Sequence, residues 1–201
     1  MSMRFHIGTP MMKTPKNNEV YMKLEEKTVE SELKYDGKIV KLFVDKAEVE
    51  NGDIVKREVI KHPGGVCVVP LDEDENVIFV RQFRYPHKRV FLEIPAGKLE
   101  YGENHRECGL RELKEETGCV CDSFEYLGNL VPTPAYDTEI IHMYLARRLH
   151  AGEQNLDKDE FLETEKIPLK KAAEMIMKNE IADAKTQVAI LKTMFLLGYC
   201  I

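Results

Sequence analysis

The chain has 201 residues, of which 43% are hydrophobic and 32% are charged, and its formal net charge at pH 7 is −6. This length suits one domain of ordinary size with an appendage, and the composition is typical of a soluble globular protein. The negative charge argues against nucleic acid or an anionic membrane as the main partner, because both bind basic protein surfaces.

The N-terminal segment, up to about residue 17, contains Pro10 and Pro15 and has no hydrophobic periodicity, so we expect a loose arm. It lacks the apolar stretch of a secretory signal, and no run of about 18 apolar residues occurs in the chain. We therefore expect a cytoplasmic protein without a membrane partner.

Three alternating segments follow, separated by the turn signals Asp36-Gly37 and Asn51-Gly52. Each signal favours a tight hairpin turn with positive φ, which predicts an antiparallel meander. Its strands would run from Val29 to Tyr35, Ile39 to Val49 and Ile54 to Ile60. Three strands are few for burying a core of their own, so we expect the meander to pack on something else, such as a second copy of the chain. The chain is thus divided into an N-terminal dimerisation region, 1–60, and a main domain, 61–201.

From Val66 onward the predicted strands are more apolar. They lie in VCVVPL at 66–71, NVIFVRQFR at 76–84, VFLEIPAG at 90–97, Phe124 to Leu130 and Glu139 to Ala146. The polar, acidic segment from His150 to Glu163 is predicted to be a long loop. Two helices are expected after it, at about Leu169 to Asn179 and Ala184 to Leu197, the second capped by Asp183. This order indicates an α+β fold, an α/β/α sandwich with a mixed sheet.

One further helix is predicted between these strands, from about His105 to Thr117. Asn104 suits the N-cap with Glu107 at the capping-box spacing, and Gly118 suits the C-terminal stop. At roughly 100° per residue, one face of this helix collects four side chains. These are Cys108, Glu112, Glu115 and Glu116. We expect this face to carry charge and the opposite side, with Leu110, Leu113 and Thr117, to pack.

The acidic face suggests a bound cation. Two glutamates at i,i+4 on a helix carry like charges, and their repulsion costs a few tenths of a kcal/mol. Arg111 can reach Glu115, but one guanidinium cannot neutralise three carboxylates. Oxygen ligands favour Mg²⁺, with Mn²⁺ as a substitute, sharing its coordination shell with a phosphate. The alternative is an ordinary solvated acidic surface.

Residues 97–118, GKLEYGENHRECGLRELKEETG, resemble the Nudix box, Gx5Ex7REUxEExGU, in which U is apolar. Every fixed position matches, and the least usual residue is Cys119 at the last U. The resemblance implies a metal-dependent hydrolase that cleaves a nucleoside diphosphate linked to another group.

The flanking sequence is similar to the ADP-ribose pyrophosphatase branch of that family. The similar segments are RQFRYP at 81–86, LEIPAGKLE at 92–100, Pro134 sixteen residues after Gly118, DKDEFLE at 157–163 and DAKT at 183–186. The resemblance implies a homodimer that exchanges its meanders, and hydrolysis of ADP-ribose to AMP and ribose 5-phosphate. Two alternatives stay open: a Nudix hydrolase of another nucleotide sugar, such as GDP-mannose or ADP-glucose, and a non-catalytic ligand sensor.

The predicted metal ligands are Glu112, Glu116, Glu115 and, by resemblance, the backbone carbonyl of Ala96. Glu103 is expected to orient the loop or to bind a second ion through water. Arg111 would tether Glu103 or Glu115 and so orient the ligands, unless it forms a purely structural salt bridge.

Hydrolysis also needs a base for the attacking water. By resemblance this is Glu160, with Asp159 and Glu163 as the nearest alternatives, although the same residues can be read as a solvated charge run.

The predicted substrate-binding residues are Arg57, Arg84, Gly97 and Pro134. By resemblance Arg84 binds phosphate, with Arg57 a weaker match, and a guanidinium suits a bidentate grip on a diphosphate. Either arginine could instead be a solvated strand residue. Gly97 lets the backbone approach the metal. Tyr21 or Tyr35 could stack on adenine.

Overall fold

The computed structural model describes residues 23–100, 102–156 and 161–199. Within these ranges it has ten strands, three α-helices and one short 3₁₀ turn, Tyr85–His87. The strands are β1 (Lys27–Asp36), β2 (Lys41–Glu48), β3 (Ile54–Lys61), β4 (Gly65–Pro70), β5 (Asn76–Arg84), β6 (Arg89–Glu93), β7 (Ala96–Lys98), β8 (Cys119–Leu130), β9 (Ile141–Ala151) and β10 (Leu162–Pro168). The helices are α1 (His105–Thr117), α2 (Leu169–Met177) and α3 (Ala184–Leu196). None of these helices is long and apolar enough to span a membrane.

Strands β1 to β3 form a three-stranded antiparallel sheet, as the sequence predicts. At its second turn Gly52 has a φ of +86°, and its N–H donates to the Val49 carbonyl at 2.9 Å. The positive φ expected there is confirmed. The same expectation is wrong at Gly37, whose φ is not positive and whose N–H donates to the Val40 carbonyl at 3.0 Å. The strands are separated there by residues 37–40, which is longer than the two-residue loop that needs positive φ.

The meander buries little of its own surface. Every residue of β1 is exposed. The exposed hydrophobic side chains of the meander are Val29, Leu33, Tyr35, Ile39 and Ile54. The last strand joins the main domain, because the Ile60 N–H donates to the Tyr136 carbonyl at 2.7 Å and the Thr138 N–H donates to the Ile60 carbonyl at 3.0 Å. The exposed hydrophobic side chains of this small sheet suit a further packing partner, while the division of the chain at residue 60 stays a prediction.

The main sheet has the order β7-β4-β9-β8, in which β4 and β9 are parallel and the other pairs are antiparallel. All residues of β4 are buried. Val66 and Val68 pack in a cluster with Leu113 of α1. Cys67 and Val69 pack in another cluster, which includes residues of α2 and α3. Because successive side chains of a strand point to opposite faces, helices cover both faces of this sheet, and it forms the predicted α/β/α sandwich.

A second sheet, of order β10-β5-β6, completes the domain. The loop predicted from His150 to Glu163 is wrong at both ends, since β9 continues to Ala151 and β10 begins at Leu162. Most side chains of β10 are exposed and Ile167 is its buried residue. An edge strand with solvated side chains lacks the hydrophobic alternation that marks strands in a sequence. Strand β8 also begins earlier than predicted, at Cys119 rather than Phe124, directly after Gly118.

Candidate active site

Helix α1 has the bounds and caps that the sequence predicts. The side chain of Asn104 accepts a hydrogen bond from the Arg106 N–H at 2.8 Å. At the other end Gly118 has a φ of +71°, and its N–H donates to the Lys114 carbonyl at 2.8 Å. Its N-terminal signal and its stop are local, so neighbouring residues are sufficient to set them.

The prediction that the carboxylate face of α1 is the non-packing side is wrong. Glu112 and Glu116 are 8% and 2% exposed, and Leu113 beside them is fully buried. Helix α1 therefore packs with the Glu112 and Glu116 side chains on its buried face. Buried carboxylates need hydrogen-bond donors, and the Ala96 N–H of β7 donates to Glu116 Oε2 at 3.2 Å.

Arg111 holds three carboxylates. Its Nε donates to Glu103 Oε1 at 3.1 Å, and its Nη1 donates to Glu112 Oε1 at 2.7 Å and to Glu115 Oε2 at 2.9 Å. Burial alone would lower the pKa of Arg111, but the hydrogen bond to Glu103 and the charge of Glu112 outweigh this effect and raise it. The predicted tether to Glu103 or Glu115 thus includes both residues and Glu112 as well.

Gly97 lies where the helix meets β7. A Cβ on this residue would be 1.9 Å from Glu112 Oε1 and 2.0 Å from Glu112 Cδ. Only a residue without a side chain leaves room for the Glu112 carboxylate at this point of the strand.

A cavity of about 340 Å³ opens beside this strand. Ala96 and Gly97 form part of its wall, next to the acidic cluster. The charged and titratable side chains that line it are His62, Arg84, Lys98, Glu139, Asp183 and Lys185.

Glu93 organises the basic part of this wall. Arg84 Nε donates to Glu93 Oε1 at 2.7 Å, and Arg84 Nη2 donates to Glu93 Oε2 at 2.6 Å. Lys185 donates to the same Oε2 atom. Burial would raise the pKa of Glu93, but the hydrogen bond from Arg84 and the charge of Lys185 lower it below the usual range. Glu93 is 2% exposed, so it is a fixed anion between two cations.

The N-terminus of α3 carries Lys185 to the cavity. Asp183 is the predicted N-cap, and its Oδ2 accepts from the Thr186 N–H at 2.9 Å and from Thr186 Oγ1 at 2.6 Å. Thr186 Oγ1 in turn accepts from the Ile94 N–H at 3.0 Å. The segment DAKT therefore binds the backbone of LEIPAG directly.

His62 and Glu139 form a second pair in the cavity wall, with 3.4 Å between His62 Nδ1 and Glu139 Oε1. The Gly64 N–H also lies 3.1 Å from the same Nδ1. Burial raises the pKa of Glu139, and the opposing effect of His62 is smaller.

A model of the NUDIX domain matches residues 61–187. The chain belongs to the NUDIX domain family. A protein of Bacillus methanolicus named methanol dehydrogenase activator is 42% identical over 168 residues, which cover 83% of this chain and 91% of the relative. The ADP-ribose pyrophosphatase of Bacillus subtilis (strain 168) is 41% identical over 169 residues, again 83% and 91% of the two chains.

A solved structure described as that of an ADP compounds hydrolase superposes with a TM-score of 0.77. It is 20% identical, and the match covers 88% of this chain and 97% of that chain. At this identity the likeness shows the fold alone. The predicted family and fold class of this NUDIX protein are thus confirmed.

The acidic cluster of the NUDIX protein fits a hard divalent ion by its chemistry. Around Arg111 and Ala96 there are four carboxylates and one guanidinium, which leaves a formal charge of three negative units. In the described part of the chain, no group of three or more His, Cys, Asp or Glu side chains is already arranged to hold a metal ion. Glu112 and Glu115 point to Arg111 instead, so an ion would compete with that guanidinium for them.

Other predicted site residues of the NUDIX protein lie elsewhere. Arg57 of β3 forms a bidentate pair with Glu26 at 2.9 and 2.7 Å, outside the cavity wall. Pro134 is exposed, and Pro132 lines the cavity instead. Tyr35 is 60% exposed on β1.

The candidate bases fall at the edge of what is described. Glu163 is exposed on β10, opposite Arg81. Glu160 and its alternative Asp159 lie outside the described residues, as does Tyr21.

The sequence analysis assigned no role to Lys185 and Glu139, which line the cavity, or to Glu93, which holds Arg84 and Lys185 there. A charged residue inside the apolar stretch VFLEIPAG was the available signal for Glu93. For Lys185 the signal was the segment DAKT at 183–186, but its pairing with Glu93 joins positions 92 apart and could not be predicted.

Proposed function

We propose that this NUDIX protein hydrolyses the diphosphate of ADP-ribose to AMP and ribose 5-phosphate. One observation carries the proposal: the acidic cluster on α1 lies next to the cavity that contains Arg84 and Lys185. Ala96 and Gly97 lie between them, since both line the cavity and contact the glutamates of α1. A diphosphate with a divalent ion needs such a site. The B. subtilis relative named for ADP-ribose supports the choice of substrate.

Mg²⁺ is the proposed ion, with Mn²⁺ as a substitute, held by Glu112, Glu115, Glu116 and the Ala96 carbonyl. When bound, such an ion activates water near neutral pH and polarises a phosphoryl oxygen. Arg111 would position these carboxylates for the ion, because it holds Glu112 and Glu115 at hydrogen-bond distance. Glu160 is proposed as the general base by resemblance.

Arg84 is the proposed phosphate contact. A guanidinium has five N–H donors, and Glu93 takes one from Nε and one from Nη2. The Nε and Nη2 pair that was expected to bind the diphosphate therefore binds Glu93 and orients Arg84. The donors on Nη1 are left for the substrate. Because Glu93 is buried, the guanidinium is held in place before substrate arrives.

We also propose a homodimer, in which a second copy covers the exposed meander. The exposed hydrophobic side chains of β1 support this assembly. Arg57 and Tyr35 lie on the same meander, so contacts of these residues with substrate would be made through the partner. The cytoplasmic location expected from the sequence stays a prediction.

One experiment tests the activity. The protein is incubated with MgCl₂ and, in separate reactions, ADP-ribose, ADP-glucose, GDP-mannose, NADH and diadenosine polyphosphates, and products are separated by anion-exchange chromatography. AMP and ribose 5-phosphate are expected from ADP-ribose, and none in a matched reaction with EDTA. If another compound is cleaved while ADP-ribose stays intact, that compound and not ADP-ribose is the substrate. No cleavage of any compound would favour the ligand sensor.

A second candidate function is activation of a dehydrogenase, which is suggested by the name of the B. methanolicus relative, 42% identical to this chain. Methanol dehydrogenase turnover is measured with and without the wild-type protein and Glu116→Gln. Stimulation by the wild type alone would indicate that activation depends on hydrolysis.

A further inference from the structure

Lys185 is a buried cation at the cavity wall. It lies in the first turn of α3, and its side chain is 11% exposed. Its ammonium group donates to Glu93 Oε2 and lies 3.0 Å from Asp183 Oδ2. Burial would lower the pKa of Lys185, but the charges of Asp183 and Glu93 raise it above the usual value, so the group is charged at neutral pH.

The two acceptors leave one donor unused. An ammonium group has three N–H donors, and no third acceptor for Lys185 Nζ occurs among the residues that the structure describes. A buried donor without an acceptor is costly, and this one belongs to a side chain that lines the cavity. A ligand oxygen in the cavity would satisfy it.

The neighbouring charges identify the kind of ligand. Arg84 Nη2 and Lys185 Nζ donate to the same oxygen of Glu93, so the two nitrogens are within about 5 Å of each other. Glu93 supplies one negative charge for both cations. Asp183 supplies a second negative charge beside Lys185, and its Oδ2 also accepts two hydrogen bonds from Thr186. The N–H donors that remain on Lys185 and on Arg84 Nη1 suit an anion with several oxygens.

We infer that Lys185 is a substrate-binding residue whose third N–H donates to an oxygen of the nucleoside diphosphate, beside Arg84. The inference rests on the proposed function only in taking a diphosphate as the bound group. It does not depend on the sugar or the base.

Inorganic pyrophosphate is therefore the probe, titrated by calorimetry in EDTA so that metal contributes nothing. Lys185→Met keeps the chain length and removes the charge, while Lys185→Arg keeps the charge. The matched control is Lys171→Met on α2, where the exposed lysine pairs with Glu174. We expect about 10- to 100-fold weaker binding for Lys185→Met, from the strength of one charge-assisted hydrogen bond. Lys185→Arg should recover part of the affinity, and Lys171→Met should match the wild type.

Folding of each variant is checked by circular dichroism. If Lys185→Met is unfolded, the inference is tested on the wild type by NMR. The ¹⁵Nζ resonance of Lys185 should shift when pyrophosphate saturates the protein. Wild-type affinity in a folded Lys185→Met, an unmoved resonance, or no pyrophosphate binding by the wild type would each overturn the inference. An intact pyrophosphate response without ADP-ribose hydrolysis would overturn the proposed function alone.

Discussion

The substitution Gly97→Ala probes the junction between β7 and the Glu112 carboxylate. The added methyl would lie 1.9 Å from Glu112 Oε1 and 2.6 Å from Glu112 Cγ, where ordinary contacts begin at 3.4 Å. The carboxylate must therefore move by about 1.5 Å or β7 must shift. Misplacement of a catalytic group by about 1 Å costs on the order of 100-fold in rate. We expect kcat/KM for ADP-ribose to fall at least that far, and Mn²⁺ affinity to weaken.

The effect on stability should be much smaller than the effect on rate. Overpacking costs about 1–3 kcal/mol, or a Tm shift of roughly 2–12 °C in a chain of this size. The rate is measured by release of AMP, and Mn²⁺ binding by electron paramagnetic resonance.

Gly109→Ala is the matched control. It adds the same methyl to α1, but against Phe124 Cζ at 2.8 Å rather than against a carboxylate. Its kcat/KM should stay within about 3-fold of the wild type, since a packing change away from the reacting groups alters stability and not chemistry. Wild-type turnover and Mn²⁺ affinity in Gly97→Ala would show that Glu112 does not bind the ion from this position.

Four further outcomes are expected. Glu116→Gln should lower kcat at least 1000-fold in the AMP-release assay, because the proposed metal ligand loses its charge; a loss below 10-fold would contradict that role. Glu160→Gln should lower kcat with little change in KM if Glu160 is the base, and retention of most turnover would contradict the assignment. Glu93→Gln should cost about 3 kcal/mol by thermal unfolding, because Arg84 and its neighbouring cation lose their buried counter-ion. The pKa of Glu93 in the folded protein lies below its ordinary value of 4.5. Its contribution to the free energy of unfolding is therefore present above pH 4.5 and is lost as the pH falls through the folded pKa. The variant should thus lose less stability in acid than the wild type. Leu33→Glu, at an exposed site on β1, should give a monomer by light scattering with an unchanged fold, and a persistent dimer would place the interface elsewhere.

Local signals in the sequence predicted helix α1 well. The Asn104 cap and the Gly118 stop act within one turn of the residues they cap, so the bounds needed no tertiary information. The same holds for Asp183 at the start of α3. The Nudix box similarly predicted which carboxylates lie together.

Burial and long-range pairing could not be predicted in this way. The acidic face of α1 turned inward because the Ala96 N–H and Arg111 supply donors to Glu116 and Glu112, which helical periodicity alone cannot reveal. Strand β10 escaped detection because its pairing with β5 is made by backbone groups, whatever its polar side chains suggest.

The Glu93 carboxylate decides which segments must be transferred together if this site is grafted onto another protein. Residues 97–118 form a continuous segment that would carry its glutamates and Arg111 onto any scaffold with a strand beside the helix. The proposed phosphate-binding residues would stay behind, because Arg84 and Lys185 are far apart in the sequence and are joined through the buried Glu93 carboxylate. A grafted box would thus carry the proposed metal ligands alone, whereas a graft that also includes β5, β6 and the start of α3 would keep Arg84, Glu93 and Lys185 together.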